Sequence, residues 1–253
     1  MPTESPSKVL IITGASRGIG AVTALLAAAR GYAVCVNYKT NREAAAQVVH
    51  EITEAGGTAV AVPGDVAVEA DVRRIFETCD QALGRVTALV NNAGIVDVKA
   101  RVDEMDTARL RRMFATNVFG SFLCAREAVR RMSTLHGGSG GVIVNVSSAA
   151  SRLGSPGEYV DYAASKAAID AFTLGLSKEV ATEGIRVNVV RPGIVHTEIH
   201  ASGGQPYRIE RITGLVPMRR AGQPDEIAHA ILWLLSDDAS YTTGALLDVA
   251  GGR

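Results

Sequence analysis

The pattern of apolar and polar positions alternates between two kinds of segment along the chain. Short runs rich in β-branched residues are almost wholly apolar, which is typical of parallel strands covered by helices on both faces. Longer stretches between them have helical spacing, as in residues 71–83, where apolar side chains recur on one helical face. The predicted strands are residues 9–13, 33–37, 59–62, 88–90, 142–146, 186–190 and 245–249. This alternation predicts an α/β fold with a doubly wound, seven-stranded parallel sheet flanked by helices on both faces.

No linker, low-complexity tract or convincing repeat interrupts the pattern, so residues 1–253 are predicted to form a single domain. The segment 197–223 contains two prolines and four glycines and has a mixed composition. It is too long for an ordinary connection in a compact domain, and loops of that length often serve as functional lids. We therefore expect a substrate loop around residues 197–223.

Composition and charge exclude several classes of function. The 26 Lys and Arg residues balance the 26 Asp and Glu residues, so the chain has no basic field for nucleic acid or an anionic membrane. No run approaches the roughly 18 apolar residues of a membrane span, and the N-terminus does not resemble a signal peptide. The three cysteines are far apart and form no C-x-x-C motif, so neither a disulfide framework nor a metal site is expected. These features favour a cytoplasmic protein.

A glycine-rich turn, residues 13–20, follows the first predicted strand and opens the first predicted helix. Glycines in such a turn let a pyrophosphate approach the backbone, and the helix N-terminus supplies free N–H groups and a positive dipole end. Gly20 is expected to help this close approach. The spacing is G-x-x-x-G-x-G, so the strand–turn–helix context carries much of the signal. The candidate cofactor contacts in this turn are Gly14, Ser16, Arg17, Gly18, Ile19 and Gly20.

The same turn permits a different function. Residues 14–18 also match G-x-S-x-G, the nucleophile elbow of α/β-hydrolases, with Ser16 as the nucleophile. His196, His200 and His229 leave the Ser–Asp–His order of a hydrolase open. A serine hydrolase is therefore an alternative to a nucleotide-binding oxidoreductase.

Tyr162 and Lys166 are four residues apart, on one face of a predicted helix. A phenol has a pKa of about 10 and is a poor base at neutral pH, but a nearby ammonium favours the phenolate. Other polar motifs follow strands four, five and six, at residues 91–94, 147–148 and 191–197. Ligands of open α/β sheets bind at the carboxyl ends of the strands, where these three motifs are expected to meet.

Taken in order, the motifs resemble those of the short-chain dehydrogenase/reductase family over essentially the whole chain. The matching motifs are Thr13-Gly-x-x-x-Gly-x-Gly20, Asp65, Asn91-Asn-Ala-Gly94, Asn117, Ser148, Tyr162-x-x-x-Lys166 and Pro192-Gly193. The chain is similar to members that act as 3-oxoacyl-acyl-carrier-protein reductases and glucose dehydrogenases. The resemblance implies a Rossmann-type fold, hydride transfer between a nicotinamide cofactor and a carbonyl or secondary alcohol, and a homotetramer. Some members bind nucleotide without turnover, so a non-catalytic protein is a further alternative.

The resemblance also implies a role for each matching side chain. Tyr162 is the general acid in reduction and the general base in oxidation. Lys166 lowers the pKa of the tyrosine and holds the nicotinamide ribose, while Ser148 donates a hydrogen bond to the substrate oxygen. Asn117 anchors a water that links Lys166 to solvent. The remaining implied cofactor contacts are Asp65, Val66, Asn92, Ala93, Gly94, Pro192, Gly193, Val195 and Thr197.

The end of the second strand bears on which nicotinamide cofactor is used. NAD enzymes usually place a carboxylate there for the ribose 2′-hydroxyl, whereas this chain has Asn37, followed by Tyr38 and Lys39. A 2′-phosphate favours nearby cations, which Arg17 and Lys39 supply. NADP(H) is therefore expected in preference to NAD(H), with Asn37, Tyr38 and Lys39 among its contacts.

The segment 151–158, between Ser148 and Tyr162, is expected to form a wall of the substrate cleft. Arg152 and Glu158 are its polar candidates for contact with a hydroxylated substrate.

Overall fold

The computed structural model describes residues 8–253, which form a seven-stranded, wholly parallel sheet in the order β3-β2-β1-β4-β5-β6-β7. Its strands are β1 (Val9–Ile12), β2 (Ala33–Tyr38), β3 (Ala59–Pro63), β4 (Ala88–Asn91), β5 (Gly141–Val146), β6 (Ile185–Pro192) and β7 (Leu246–Val249). Every predicted strand is present, and the predicted α/β sheet is confirmed.

The connections between strands are mostly helical. The α-helices of the described residues are α1 (Gly18–Ala28), α2 (Arg42–Glu54), α3 (Glu69–Leu83), α4 (Thr107–Phe114), α5 (Gly120–Met132), α6 (Ala150–Leu153), α7 (Val160–Glu179), α8 (Ile199–Ser202), α9 (Arg208–Thr213) and α10 (Pro224–Leu235). A wide π-type turn, Ala115–Phe119, joins α4 to α5. In the described part of the chain, no helix is both long and apolar enough to cross a membrane.

The apolar strands are buried on both faces because each face supports its own layer of helices. In β1, Leu10 and Ile12 join one apolar cluster, and Val9 and Ile11 join the other. Helices α1 and α10 pack on the first face, while α3 and α5 pack on the second. This arrangement explains why the strand sequences are continuously apolar rather than alternating.

The strand order reverses between β1 and β4, since chain order runs from β1 to β2 on one side and from β4 to β5 on the other. In open α/β sheets a crevice forms at such a switch point, outside the carboxyl ends of the strands. The segment 197–223 borders this crevice and carries α8 and α9. Its side chains Ile212, Val216 and Ala221 form a separate apolar cluster together with Ile194.

Candidate active site

A cavity of about 530 Å³ lies at the carboxyl ends of the strands, within the size range of small-molecule and cofactor sites. It is lined by residues that follow each of the first six strands. The predicted site residues in its wall are Gly14, Ser16, Arg17, Gly18, Ile19, Asn37, Lys39, Asp65, Val66, Asn92, Ala93, Gly94, Ser148, Tyr162, Lys166, Pro192, Gly193, Val195 and Thr197. Three other predicted residues, Gly20, Tyr38 and Asn117, do not line it.

The glycine-rich turn presents its backbone to the cavity. Gly14 has a φ of +61°, and a β-carbon there would lie 3.0 Å from the α-carbon of Ala93. Helix α1 then begins at Gly18, and the side chain of Arg17 does not cap it. The first N–H groups of a helix have no partner within the helix, so this turn has the donors and the dipole end that a pyrophosphate requires.

Gly20 has a different role from the one expected. A β-carbon at this position would lie 2.5 Å from the Asn92 amide nitrogen and 2.8 Å from the Gly14 carbonyl oxygen. The Asn92 amide donates to the carbonyls of Thr13 and Gly14, at 2.9 and 3.0 Å. Gly20 therefore lets α1 pack against the turn and against the loop after β4, and it does not form the cavity wall.

The end of β2 is organised by Asn37, whose side chain is almost completely buried. Its amide donates to the carbonyls of Val62 and Gly64, and its oxygen accepts from the N–H of Gly14 at 3.2 Å. Asn37 thus joins β2, β3 and the glycine-rich turn. Tyr38 was predicted to contact the cofactor. The structure instead packs it in the apolar core, and it does not line the cavity.

The two predicted cations differ in their surroundings. The Lys39 ammonium lies 2.7 Å from a carboxylate oxygen of Asp65, which also lines the cavity. Arg17 is exposed at the start of α1 and lines the same wall. Both positive charges therefore border the part of the cavity next to β2.

The structure distinguishes Ser147 from Ser148. The Ser147 hydroxyl donates to the Lys166 carbonyl at 2.9 Å and is buried against α7. The Ser148 hydroxyl accepts from the N–H of Ala150 and is hydrogen-bonded to the Tyr162 phenol. Ser148 is therefore the serine with its hydroxyl beside the tyrosine, as its predicted role requires.

Lys166 lies one helical turn after Tyr162, with its ammonium 5.8 Å from the centre of the tyrosine ring. It donates to the Val146 carbonyl at 2.7 Å. Burial lowers the pKa of Lys166 to about 8, against the opposing influence of Asp170. A β-carbon on Gly94 would lie 3.3 Å from this ammonium, so the glycine leaves the lysine room at the cavity wall.

Burial raises the pKa of Tyr162 above its ordinary value, while the Ser148 hydrogen bond and the positive charge of Arg208 act in the opposite direction. Lys166 was expected to lower the pKa of this phenol. In the structure its ammonium is engaged with the Val146 carbonyl, and desolvation of the phenol dominates. The chain alone therefore holds Tyr162 in its protonated form at neutral pH.

Asn117 lies in the π-type turn and is fully buried. Its amide donates to the Ile95 carbonyl and the Ser165 hydroxyl, and its oxygen accepts from the N–H of Ile95. These contacts hold the backbone after β4 against α7. The Asn117 side chain does not line the cavity but holds residues of its wall in place. Its predicted link through a water to Lys166 stays a prediction.

The segment before α7 lines the cavity with some of its residues and not with others. Leu153 and Ser155 line the cavity, so the segment does form a wall. Glu158 does not line it, because Arg208 and Arg211 bind its carboxylate at 2.6 and 2.7 Å. The carboxylate reaches the cavity only through its partner Arg208, and its expected contact with a substrate stays a prediction.

Arg152 does not line the cavity as expected, and Arg208 lines it although no pattern in the sequence indicated this. Arg152 donates to the Arg253 carbonyl and lies 3.4 Å from Asp248, outside the main cavity. Arg208 lines the cavity but was missed, because a lone arginine in a loop ordinarily indicates solvent exposure. Its distance of 50 residues from Glu158 left no local pattern to reveal it.

The structure gives no support to hydrolase chemistry at Ser16. This serine lines the cavity, but none of the histidine side chains that the structure describes does so. A nucleophilic serine needs a base within hydrogen-bonding reach. Within residues 8–253, no group of three or more metal-ligating side chains comes together either.

The chain is similar to known proteins over almost its whole length. A family model described as enoyl-(acyl carrier protein) reductase matches residues 14–253. The uncharacterised oxidoreductase YgfF of Escherichia coli K12 is 56% identical over 245 residues, which make up 97% of this chain and 99% of that protein. A 3-oxoacyl-[acyl-carrier-protein] reductase of Synechocystis is 37% identical over 258 residues, covering 99% of this chain and 98% of that protein. A solved short-chain dehydrogenase/reductase from Serratia marcescens has a TM-score of 0.89 at 33% identity, covering 97% of each chain.

Proposed function

Because the chain belongs to the short-chain dehydrogenase/reductase family, we propose that it transfers a hydride between NADP(H) and a carbonyl or secondary alcohol, with Tyr162 as acid and base. Family membership makes the protein an NAD(P)-dependent oxidoreductase. The observation that carries the proposal is the meeting of Ser148, Tyr162 and Lys166 in one cavity that also contains the glycine-rich turn.

The residues present fit a nicotinamide dinucleotide. The uncapped start of α1 and the positive φ of Gly14 suit a pyrophosphate. Asp65, Val66, Pro192, Gly193, Val195 and Thr197 line the cavity; we expect the first two beside the adenine and the other four beside the nicotinamide. The bound cofactor supplies the hydride.

The protein's own side chains stabilise the charge on the substrate oxygen and transfer the proton. In reduction, negative charge develops on the carbonyl oxygen, and hydrogen bonds from Ser148 and Tyr162 stabilise it. Tyr162 then donates its phenolic proton to that oxygen, a step suited to a phenol held protonated by burial. In oxidation Tyr162 must first lose its proton, because only its phenolate can accept one from the alcohol; a nearby positive charge such as that of Lys166 favours the phenolate.

The preference for NADP(H) is proposed from the charges beside β2. Asn37 replaces a carboxylate and is fully engaged within the protein, while Arg17 and Lys39 border the crevice. Fluorescence titration should show tighter binding of NADPH than of NADH. The Arg17→Ala substitution should weaken NADPH binding about tenfold, which is the effect of losing about 1.4 kcal/mol, and leave NADH binding unchanged. Arg30→Ala, at an exposed site away from the cavity, is the control.

We propose that the protein is a single-domain, cytoplasmic homotetramer. Phe119 and Phe122 are large exposed apolar side chains near the start of α5, and Phe122 stacks on Phe172 of α7. Exposed apolar side chains that lie close together are typical of an interface. Light scattering after size-exclusion chromatography measures the assembly directly, and a monomer at micromolar concentration would contradict the proposal.

The experiment for the catalytic proposal is a carbonyl screen that follows NADPH oxidation, with Tyr162→Phe as its reference. Turnover by the wild-type chain that is lost in the variant supports the acid/base role. Tight cofactor binding without turnover of any carbonyl or alcohol would instead favour the non-catalytic alternative. Labelling of Ser16 by a serine-directed probe would favour the hydrolase.

A further inference from the structure

Arg208 places a guanidinium in the wall of the cavity that holds Tyr162. It is the first residue of α9, and only 14% of its side chain is exposed. Its guanidinium lies 4.8 Å from the centre of the Tyr159 ring, in the geometry of a cation–π contact. Arg208 is therefore held against the Tyr159 ring, in the wall of the cavity that also contains Tyr162.

The hydrogen-bonding capacity of Arg208 is mostly unused by the protein. A guanidinium has five N–H donors in a fixed fork. Glu158 accepts from one terminal nitrogen, at 2.6 Å. Within the described part of the chain, the other nitrogens of this guanidinium have no acceptor, and none of them is sealed from the cavity or solvent. A planar donor fork at a cavity wall is suited to a carboxylate or a phosphate.

The charge around Glu158 leaves a positive surplus at the same place. One carboxylate faces two guanidinium groups, those of Arg208 and Arg211. Arg211 is 53% exposed and does not line the cavity, so the cavity side of the cluster is the Arg208 side.

The acidic residues of the cavity wall lie elsewhere. Asp65 is paired with Lys39, and a Glu198 carboxylate oxygen lies 3.7 Å from where a β-carbon on Gly18 would be. Both therefore border the cofactor part. The cavity wall also contains apolar side chains, among them those of Val96, Leu153, Ile199 and Ile212.

From this arrangement we propose that Arg208 binds an anionic group on the substrate, so that the substrate is an oxo compound with an apolar body and a carboxylate or phosphate. The inference deepens the proposed function and rests on it. Arg208 acts as a specificity determinant: it contacts the substrate at a distance from the carbonyl that reacts. The apolar side chains of the cavity wall accommodate the carbon chain that joins the carbonyl of the substrate to its anionic group.

The test compares anionic probes with neutral partners by calorimetric titration of the protein saturated with NADP⁺, which cannot reduce the carbonyl probes. The carboxylate arm uses 4-oxopentanoate to 7-oxooctanoate, each against its methyl ester. The phosphate arm uses dihydroxyacetone phosphate against dihydroxyacetone. We expect at least one anion to bind about tenfold more tightly than its neutral partner, which corresponds to about 1.4 kcal/mol. The arm that shows the preference identifies the anionic group.

Matched substitutions separate recognition from support of the fold. Arg208→Gln should reduce the anion-to-neutral ratio to about one, and Arg208→Lys should restore part of it, since the charge returns without the fork. Arg211→Gln removes the other partner of Glu158 but no part of the cavity wall, so the ratio should stay at its wild-type value. Thermal unfolding and cofactor titration of each variant show whether it is folded.

Two results would overturn the inference. One is a wild-type protein in which no anion binds more tightly than its neutral partner. The other is an equal loss of the anion-to-neutral binding ratio in Arg208→Gln and Arg211→Gln, which would show that both arginines only hold α9 in place. A different result, selective anion binding without NADPH oxidation by any probe or by uncharged ketones, would contradict the proposed reductase and leave the anion site standing.

Discussion

Arg109 of α4 forms a buried, two-pronged ion pair with Asp161, the residue immediately before Tyr162. The two nitrogen-to-oxygen distances are 2.7 and 3.2 Å, and the guanidinium also donates to the Val98 carbonyl. Helix α4 leads directly into the turn that carries Asn117. The ion pair therefore links α4, and the turn with Asn117 that follows it, to the first turn of α7, the helix that carries Tyr162.

Removing one partner of this pair should be strongly destabilising. Arg109→Gln leaves the Asp161 carboxylate buried without a counter-charge, and the expected loss is about 3–5 kcal/mol of unfolding free energy. Urea denaturation measures it. The control is Arg112→Gln, which breaks the more exposed pair with Asp97 and should cost no more than about 1 kcal/mol. Equal effects of the two substitutions would show that burial of the Arg109 pair has no special importance.

Tyr162→Phe should lower turnover by a factor of about 10²–10⁴, the usual contribution of a positioned acid or base. The phenyl ring fills the same space, so cofactor affinity should stay near that of the wild type. Steady-state kinetics with a substrate from the carbonyl screen, beside NADPH titration, separates the two effects. Tyr207→Phe, at an exposed position outside the cavity wall, should have wild-type kinetics. A Tyr162→Phe enzyme with full activity would remove this residue from the mechanism.

Lys166 should make folding stability depend on pH in the alkaline range. Burial lowers its pKa in the folded state to about 8, from an unfolded value of 10.5. Between these values the unfolded chain binds more protons, so stability rises with pH, by at most about 1.4 kcal/mol per pH unit. Below pH 8 both states carry the proton, and the cost of burying the ammonium is fully present.

The measurement is the unfolding free energy of the wild type, Lys166→Met and Lys178→Met between pH 7.5 and 9.5. Lys178 is exposed on the same helix, so its variant should retain the wild-type slope. Lys166→Met should lose the part of the slope that comes from the buried amine. A slope shared by all three proteins would show that the Lys166 ammonium is not destabilised by burial.

Gly20→Ala should destabilise the protein by about 1–3 kcal/mol, the usual cost of overpacking. The added methyl group would overlap the Asn92 amide and the Gly14 carbonyl. NADPH affinity should also fall, because both groups hold the turn. The matched substitution is Gly175→Ala in α7, where a β-carbon meets nothing within 4 Å. It should be neutral or slightly stabilising, since alanine favours a helix more than glycine does. Thermal unfolding distinguishes the two.

Local patterns in the sequence determined the sheet, the glycine-rich turn and the Tyr162–Lys166 pair. The strands of a doubly wound sheet are apolar on both faces, and β1 has this composition because each face of it is buried. Tyr162 and Lys166 share a helical face whatever the rest of the chain does. These features depend on residues that are close together along the chain, so the sequence shows them directly.

Only the tertiary structure decided what Asn37, Asn117 and Arg208 do. The Asn37 side chain is engaged because β2 pairs with β3 and lies beside the glycine-rich turn. Asn117 holds a backbone segment 22 residues away. Arg208 reaches the cavity through an ion pair that spans 50 residues. Each role follows from a contact that exists only once the sheet and its helices have packed, because the free energy of burying a polar group depends on its partners in space.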